Sequence, residues 1–146
     1  MTAPATPRKH ATVLLVEDDA TLGDAFARVL RAAGYEVWLT AKAEEGLEKV
    51  KLLRPDAIVV DFRMPLVNGL GFLYRLRSAE SAPPIPVAVV TGDTSLDDDV
   101  KAQLQELGAM LRMKPIMPDE LLEMVQGMVA ESMTPIEPET PQRTVW

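Results

Sequence analysis

The sequence predicts a doubly wound α/β domain built on a five-stranded parallel sheet. Five short runs rich in β-branched or other apolar residues recur along the chain, and each is followed by a segment whose apolar residues fall at helical spacing. Alternation of this kind calls for a parallel sheet covered by helices on both faces and joined by right-handed crossovers. The chain has 146 residues, 47% hydrophobic and 25% charged, which suffices for one domain with a real core and is too short for two ordinary ones.

The first strand is TVLLV (12–16), followed by a helix carrying Leu22, Phe26, Val29 and Ala33, with Gly34 where a C′ glycine belongs. YEVWL (35–39) forms the second strand, and Ala43, Leu47 and Val50 mark its helix. AIVV (57–60) reads as a strand buried on both faces; the chain then turns through Met64-Pro65 and Asn68-Gly69 into a helix marked by Leu73 and Leu76. VAVV (87–90) precedes a helix with Leu96, Val100, Leu104 and Leu107, where Ser95 and Asp98 are spaced as a capping box and Gly108 as a C′ residue. AMLRM (109–113) is the fifth strand, and its helix carries Leu121, Val125 and Met128, with Pro118 at the first helical position.

The domain is expected over residues 11–130, behind a flexible N-terminal arm at 1–10 that holds the only histidine, His10, solvated. Residues 131–146 contain three prolines and no periodicity, and predict a disordered or polyproline-like tail without a function of its own. No apolar stretch approaches the ~20 residues of a membrane span, and no apolar segment follows the basic residues of MTAPATPRKH, so a cytoplasmic protein with no membrane contact is expected. Cysteine is absent, which excludes disulfides and zinc-thiolate sites. A net charge of −7 argues against a nucleic-acid partner.

In an open parallel sheet, ligands bind outside the carboxyl ends of the strands. Those ends hold Glu17, Asp18 and Asp19 after the first strand, Asp61 after the third, Thr91 after the fourth and Lys114-Pro115 after the fifth. Singly, each has an ordinary explanation, since acids cap helices, threonines close turns and lysines stand in solvent. Together they are costly. Two carboxylates about 5 Å apart repel by roughly 3 kcal/mol at an effective dielectric near 20, so the cluster must raise its own pKa values or recruit a cation. Oxygen ligands without thiols suit Mg²⁺. An Asp carboxylate can attack phosphorus to form an acyl phosphate while Mg²⁺ and an ammonium neutralise the transferring oxygens. Asp61 is then the nucleophile and Lys114 the ammonium. The Thr91 hydroxyl donates to a phosphoryl oxygen, and Gly92 beside it leaves the entrance free of a side chain.

The segments VLLVEDDA, VVDFRMPLVNG, VVTG and MKP, in this order and at these strand ends, resemble the receiver domain of two-component response regulators over roughly residues 11–130. The resemblance implies the flavodoxin-like (βα)5 fold with strand order 2-1-3-4-5. It implies Asp61 as phosphoacceptor, Glu17, Asp18 and Asp61 as Mg²⁺ ligands with the backbone carbonyl of Arg63, Thr91 as the switch hydroxyl and Lys114 as the phosphoryl-binding lysine. It also implies a cis Lys114-Pro115 peptide. The Arg63 side chain is within sequence reach of the phosphoryl. Partners would be a sensor histidine kinase or a histidine phosphotransfer domain and a phosphorylation-dependent protein target. Such a protein is no enzyme beyond catalysing its own phosphorylation and dephosphorylation. Read as a whole protein, the chain leaves no room for an output domain and resembles single-domain receivers of the chemotaxis or phosphorelay type.

Two departures stand beside the matches. Leu111 occupies the position where receivers usually carry Tyr or Phe, and Gly108–Lys114 is one residue shorter than is common. Leu111 has no ring to swing, so the expectation is that it only packs under the fourth helix and that a signal travels through the 91–96 loop and that helix. Two alternatives share the site. A small phosphatase with an Asp nucleophile would want D-x-D after the first strand, and a docking module indifferent to phosphorylation would have no use for the acceptor and lysine. A flavodoxin-like nucleotide binder is opposed by the acids EDDAT where phosphate would lie.

Overall fold

The computed structural model describes residues 10–78, 84–93 and 95–133. The expected arm up to residue 9 and the tail beyond 133 lie outside them. Strands β1 (Thr12–Val16), β2 (Glu36–Thr40), β3 (Ala57–Asp61), β4 (Val87–Thr91) and β5 (Ala109–Met113) alternate with helices α1 (Ala20–Ala32), α2 (Ala43–Leu53), α3 (Gly69–Arg77), α4 (Asp98–Glu106) and α5 (Pro118–Met133). The strands form one parallel sheet in the order β2-β1-β3-β4-β5. The expected fold class and strand order both hold. Helix α5 runs three residues past the boundary expected at 130.

Alternation along the strands sends successive residues to opposite faces. Leu14, Val16, Ile58, Val60, Val87 and Val89 pack with Val50 of α2, Phe72, Leu73 and Leu76 of α3 and Leu104 of α4. Val13, Leu15, Val59, Ala88 and Val90 face the other way, onto Phe26 and Leu30 of α1 and Leu121, Val125 and Met128 of α5. Strands β3 and β4 are buried throughout, which explains why they read as unbroken apolar runs. No helix of the described residues is long and apolar enough to cross a membrane.

The punctuation of the sequence is mostly realised. Gly34 and Gly108 take φ of +101° and +83° after α1 and α4, a region where a side chain is strained. Pro118 opens α5. Asp19 caps α1 by accepting from the Leu22 amide at 3.1 Å. The capping box at Ser95 and Asp98 does not form. The N-cap of α4 is Asp97, without a side-chain cap bond, and Ser95 instead donates its amide and hydroxyl to Asp93 Oδ1 at 2.8 and 2.6 Å. The Asp93 carboxylate two residues upstream accepts the Ser95 amide that a capping box would give to the Asp98 carboxylate three residues downstream.

Candidate functional site

Backbone bonds continue the sheet one rung past its strands and fix the residues that leave them. Glu17 N–H donates to Thr40 O (2.9 Å), Phe62 N–H to Val90 O (2.8 Å) and Lys114 N–H to Thr91 O (2.8 Å). These rungs set Glu17, Asp61, Thr91 and Lys114 along one edge of a rigid platform, with the Lys114-Pro115 peptide in the expected cis form.

Lys114 Nζ lies 3.0 Å from Asp61 Oδ1 and 3.4 Å from Glu17 Oε1. Carboxylate oxygens of Glu17, Asp18 and Asp61 lie within 4.8 Å of one another; Glu17 and Asp61 are buried and Asp18 is exposed. Burial pushes the Glu17 carboxyl up to about 7; the Asp61 charge adds to this, and the Asp19 amide and Lys114 oppose it without cancelling it. Burial works against the Lys114 ammonium, yet its bond to Asp61 and the charges of Glu17 and Asp61 outweigh this and raise its pKa. A platform with three carboxylates and one ammonium is short of positive charge. The donor set, all hard oxygens with one face open at Asp18, fits a hard divalent cation.

Thr91 is fully buried, and its Oγ1 accepts the Asp93 amide at 3.0 Å. That bond uses an acceptor lone pair and leaves the hydroxyl proton free to donate. At Gly92 a Cβ would meet only Lys114 Cβ, at 3.9 Å, so nothing crowds the entrance.

The response regulator receiver domain family matches residues 13–126, a span that includes all of these groups. The chain belongs to that family. A receiver is the phosphorylation-dependent switch of two-component signalling, and it is not a classical enzyme. Among curated relatives, the transcriptional regulatory protein PrrA of Mycobacterium leprae is 33% identical over 128 residues, which cover 88% of this chain and 52% of PrrA. The chain thus spans about half the length of that relative. Among solved structures, the chemotaxis response regulator CheY4 of Vibrio cholerae superposes with a TM-score of 0.73 at 30% identity, covering 82% of this chain and 98% of that one. A CheY-like receiver domain protein of Methanospirillum hungatei gives 0.75 at 29% identity, covering 84% and 96%.

The receiver's rim holds features that sequence reasoning missed or placed differently. The Arg63 side chain is paired with Asp93 rather than directed to the acidic cluster. Asp93 was not singled out. Its carboxyl is held at about 2 by bonds from Ser95 and Arg63. The readable signal was an Asp followed two residues later by Ser in a turn, the spacing of an Asx-turn. Leu66, in the loop after Asp61, is 99% exposed at φ +73°, an unfavourable backbone for a non-glycine residue. A cleft of ≈ 450 Å³ runs beside the site, lined by Asp18, Arg63, Met64 and Leu66 among others. Leu111 is half-buried against the core face that includes Leu104 of α4, so it packs where expected, though less deeply than a core leucine.

Proposed function

We propose that this receiver accepts one phosphoryl group on Asp61 from a histidine kinase or histidine phosphotransfer domain. The observation that carries the reading is the convergence of Asp61 with Lys114 at 3.0 Å, beside buried Thr91 on the next strand and two further carboxylates. An Asp61 oxygen attacks phosphorus, the bond to the donor nitrogen breaks, and the imidazole leaves with its electron pair and takes a proton. Lys114 holds a phosphoryl oxygen, and Thr91 donates its free proton to another. Glu17, Asp18, Asp61 and the Arg63 carbonyl would hold Mg²⁺, which supplies neutralising charge for the transferring oxygens. The same constellation makes the domain the catalyst of its own phosphorylation and of its reversal. The working unit is residues 11–130 with the last turn of α5, in the cytoplasm. Its output is a protein partner that prefers one phosphorylation state, and nucleic acid is not contacted by this domain.

A small phosphodonor with Mg²⁺ tests the reading. Intact mass should rise by one phosphoryl, on the peptide containing Asp61. Steady phosphate release without an adduct would instead indicate a phosphatase, and no reaction a docking module.

The state is read through the loop from Thr91 to Leu96 and α4, with Leu111 contributing packing alone. Because Leu111 is only half-buried, Leu111→Ala should cost about 1–2 kcal/mol, below the ~2–5 kcal/mol of a fully buried leucine. Denaturant melts check the stability. Partner capture by phosphorylated and unphosphorylated forms checks the readout, which should survive. A folded, phosphorylatable Leu111→Ala that no longer discriminates the two forms would make Leu111 a switch.

A further inference from the structure

The pairing of Arg63 with Asp93 plays no part in the chemistry proposed above. Arg63 lies two residues after Asp61, and Asp93 two after Thr91, on loops that leave neighbouring strands joined by the bond from Phe62 N–H to Val90 O. A guanidinium–carboxylate pair between them therefore ties the β3–α3 loop to the β4–α4 loop across the rim of the site. The two partners are not equally free. Asp93 is anchored on every polar group it offers in this direction: Oδ2 accepts from Arg63 Nη2, Oδ1 accepts from the Ser95 amide and hydroxyl, and its own N–H donates to Thr91 Oγ1. The Arg63 side chain is 66% exposed and that of Asp93 15%. The cation is the movable member and the carboxylate the fixed post.

We propose that Asp93 is a positioning residue that holds Arg63 off the phosphoryl pocket until Asp61 is phosphorylated, when Arg63 exchanges Asp93 for the phosphoryl group. This rests on Asp61 as the phosphoacceptor. A phosphoryl carries roughly two negative charges against one on Asp93, and it offers the paired oxygens that a planar guanidinium prefers. Exchange is therefore favoured once the phosphoryl is present and disfavoured before. Before phosphorylation, Asp93 neutralises the Arg63 charge that would otherwise draw an anionic donor to the cleft. After it, the two loops lose their tie. Asp93 keeps its Ser95 bonds, while its N–H remains on the hydroxyl that turns toward the phosphoryl. Asp93 thus couples the release of Arg63 to the movement of Thr91.

The test measures phosphorylation rates by intact mass, with phosphoramidate and Mg²⁺, for the full chain and for Asp93→Asn, Asp93→Glu, Arg63→Gln and Asp93→Asn/Arg63→Gln. Asparagine keeps an oxygen for Ser95 and removes the charge. Asp93→Asn should react roughly three- to tenfold faster, because the freed guanidinium attracts the anionic donor. The acceleration should vanish when Arg63 is Gln, and Asp93→Glu should restore the slow rate. A second readout follows the Arg63 side-chain Nε–H by NMR, whose resonance should shift on phosphorylation of the unmodified chain. Equal acceleration with and without Arg63, no acceleration, or an Nε–H resonance unmoved while Asp61 becomes phosphorylated would each overturn the proposal. A parent chain that takes up no phosphoryl overturns the reading of Asp61 itself, and the coupling with it.

Discussion

Asp61→Asn should take up no phosphoryl group and should keep its fold. The amide has the shape of the carboxylate but not its nucleophilic oxygen, and it still fits the end of β3. No neighbouring carboxylate is placed to stand in. Glu17 Oε1 also faces Lys114, but its Oε2 accepts the Asp19 amide at 3.2 Å, and Glu17 directly follows β1, which β3 separates from β4 and its Thr91. Asp18 is exposed and makes no ion pair with Lys114 among the described residues. Intact mass after incubation with a phosphodonor and Mg²⁺ should therefore match the untreated variant, while circular dichroism stays that of the parent. An adduct of undiminished size on Asp61→Asn would move the acceptor to Glu17 or Asp18.

Without a divalent cation, the protein should lose stability as pH rises from about 5 to 8. Glu17 titrates near 7 in the folded chain, chiefly because of burial and then because of Asp61, against 4.5 for an unperturbed glutamate. Between those values the folded state binds more protons than the unfolded state, so the stability present below 4.5 is progressively lost as pH passes through 7. At about 1.4 kcal/mol per pKa unit, and with allowance for partial solvent screening, the loss should be roughly 1–3 kcal/mol. Thermal melts in chelator across this range measure it. Glu17→Gln should flatten the profile and melt higher than the parent at pH 8. Saturating Mg²⁺ should flatten it too, because a cation at the carboxylates favours the ionised form and binds only the folded chain. A chelated parent whose melting temperature is constant or rises from pH 5 to 8 would contradict the reading of Glu17.

The sheet was legible because β3 and β4, buried on both faces, leave no choice but apolar runs, and because the acids, Thr91 and Lys114 sit where those runs stop. The edges were less so. β2 begins one residue later than the YEVWL run suggests, because Tyr35 belongs to the turn after Gly34 and its amide bonds back to Leu30 O at 3.2 Å. Ser95 and Asp98 satisfied the local rule for a capping box, but a rule three residues long carries no information about a competing carboxylate at 93. The tie between Arg63 and Asp93 was beyond reading for a different reason. It joins residues 30 apart whose meeting depends on the pairing of β3 with β4, and nothing in either local segment announces the other.

The position of β3 in the middle of the sheet has a consequence for how the molecule breathes. Its residues, with those of β4, are enclosed on both faces and bonded along both sides, so their amides should exchange with solvent only when the whole domain opens. Leu66 and Arg63, a few residues on, stand in a loop open to solvent and belong to the fast end of the same scale. A carboxylate at the end of a strand enclosed on both faces therefore borders directly on a loop open to solvent. A covalent event at that border should alter the exposed loop without loosening the enclosed strand.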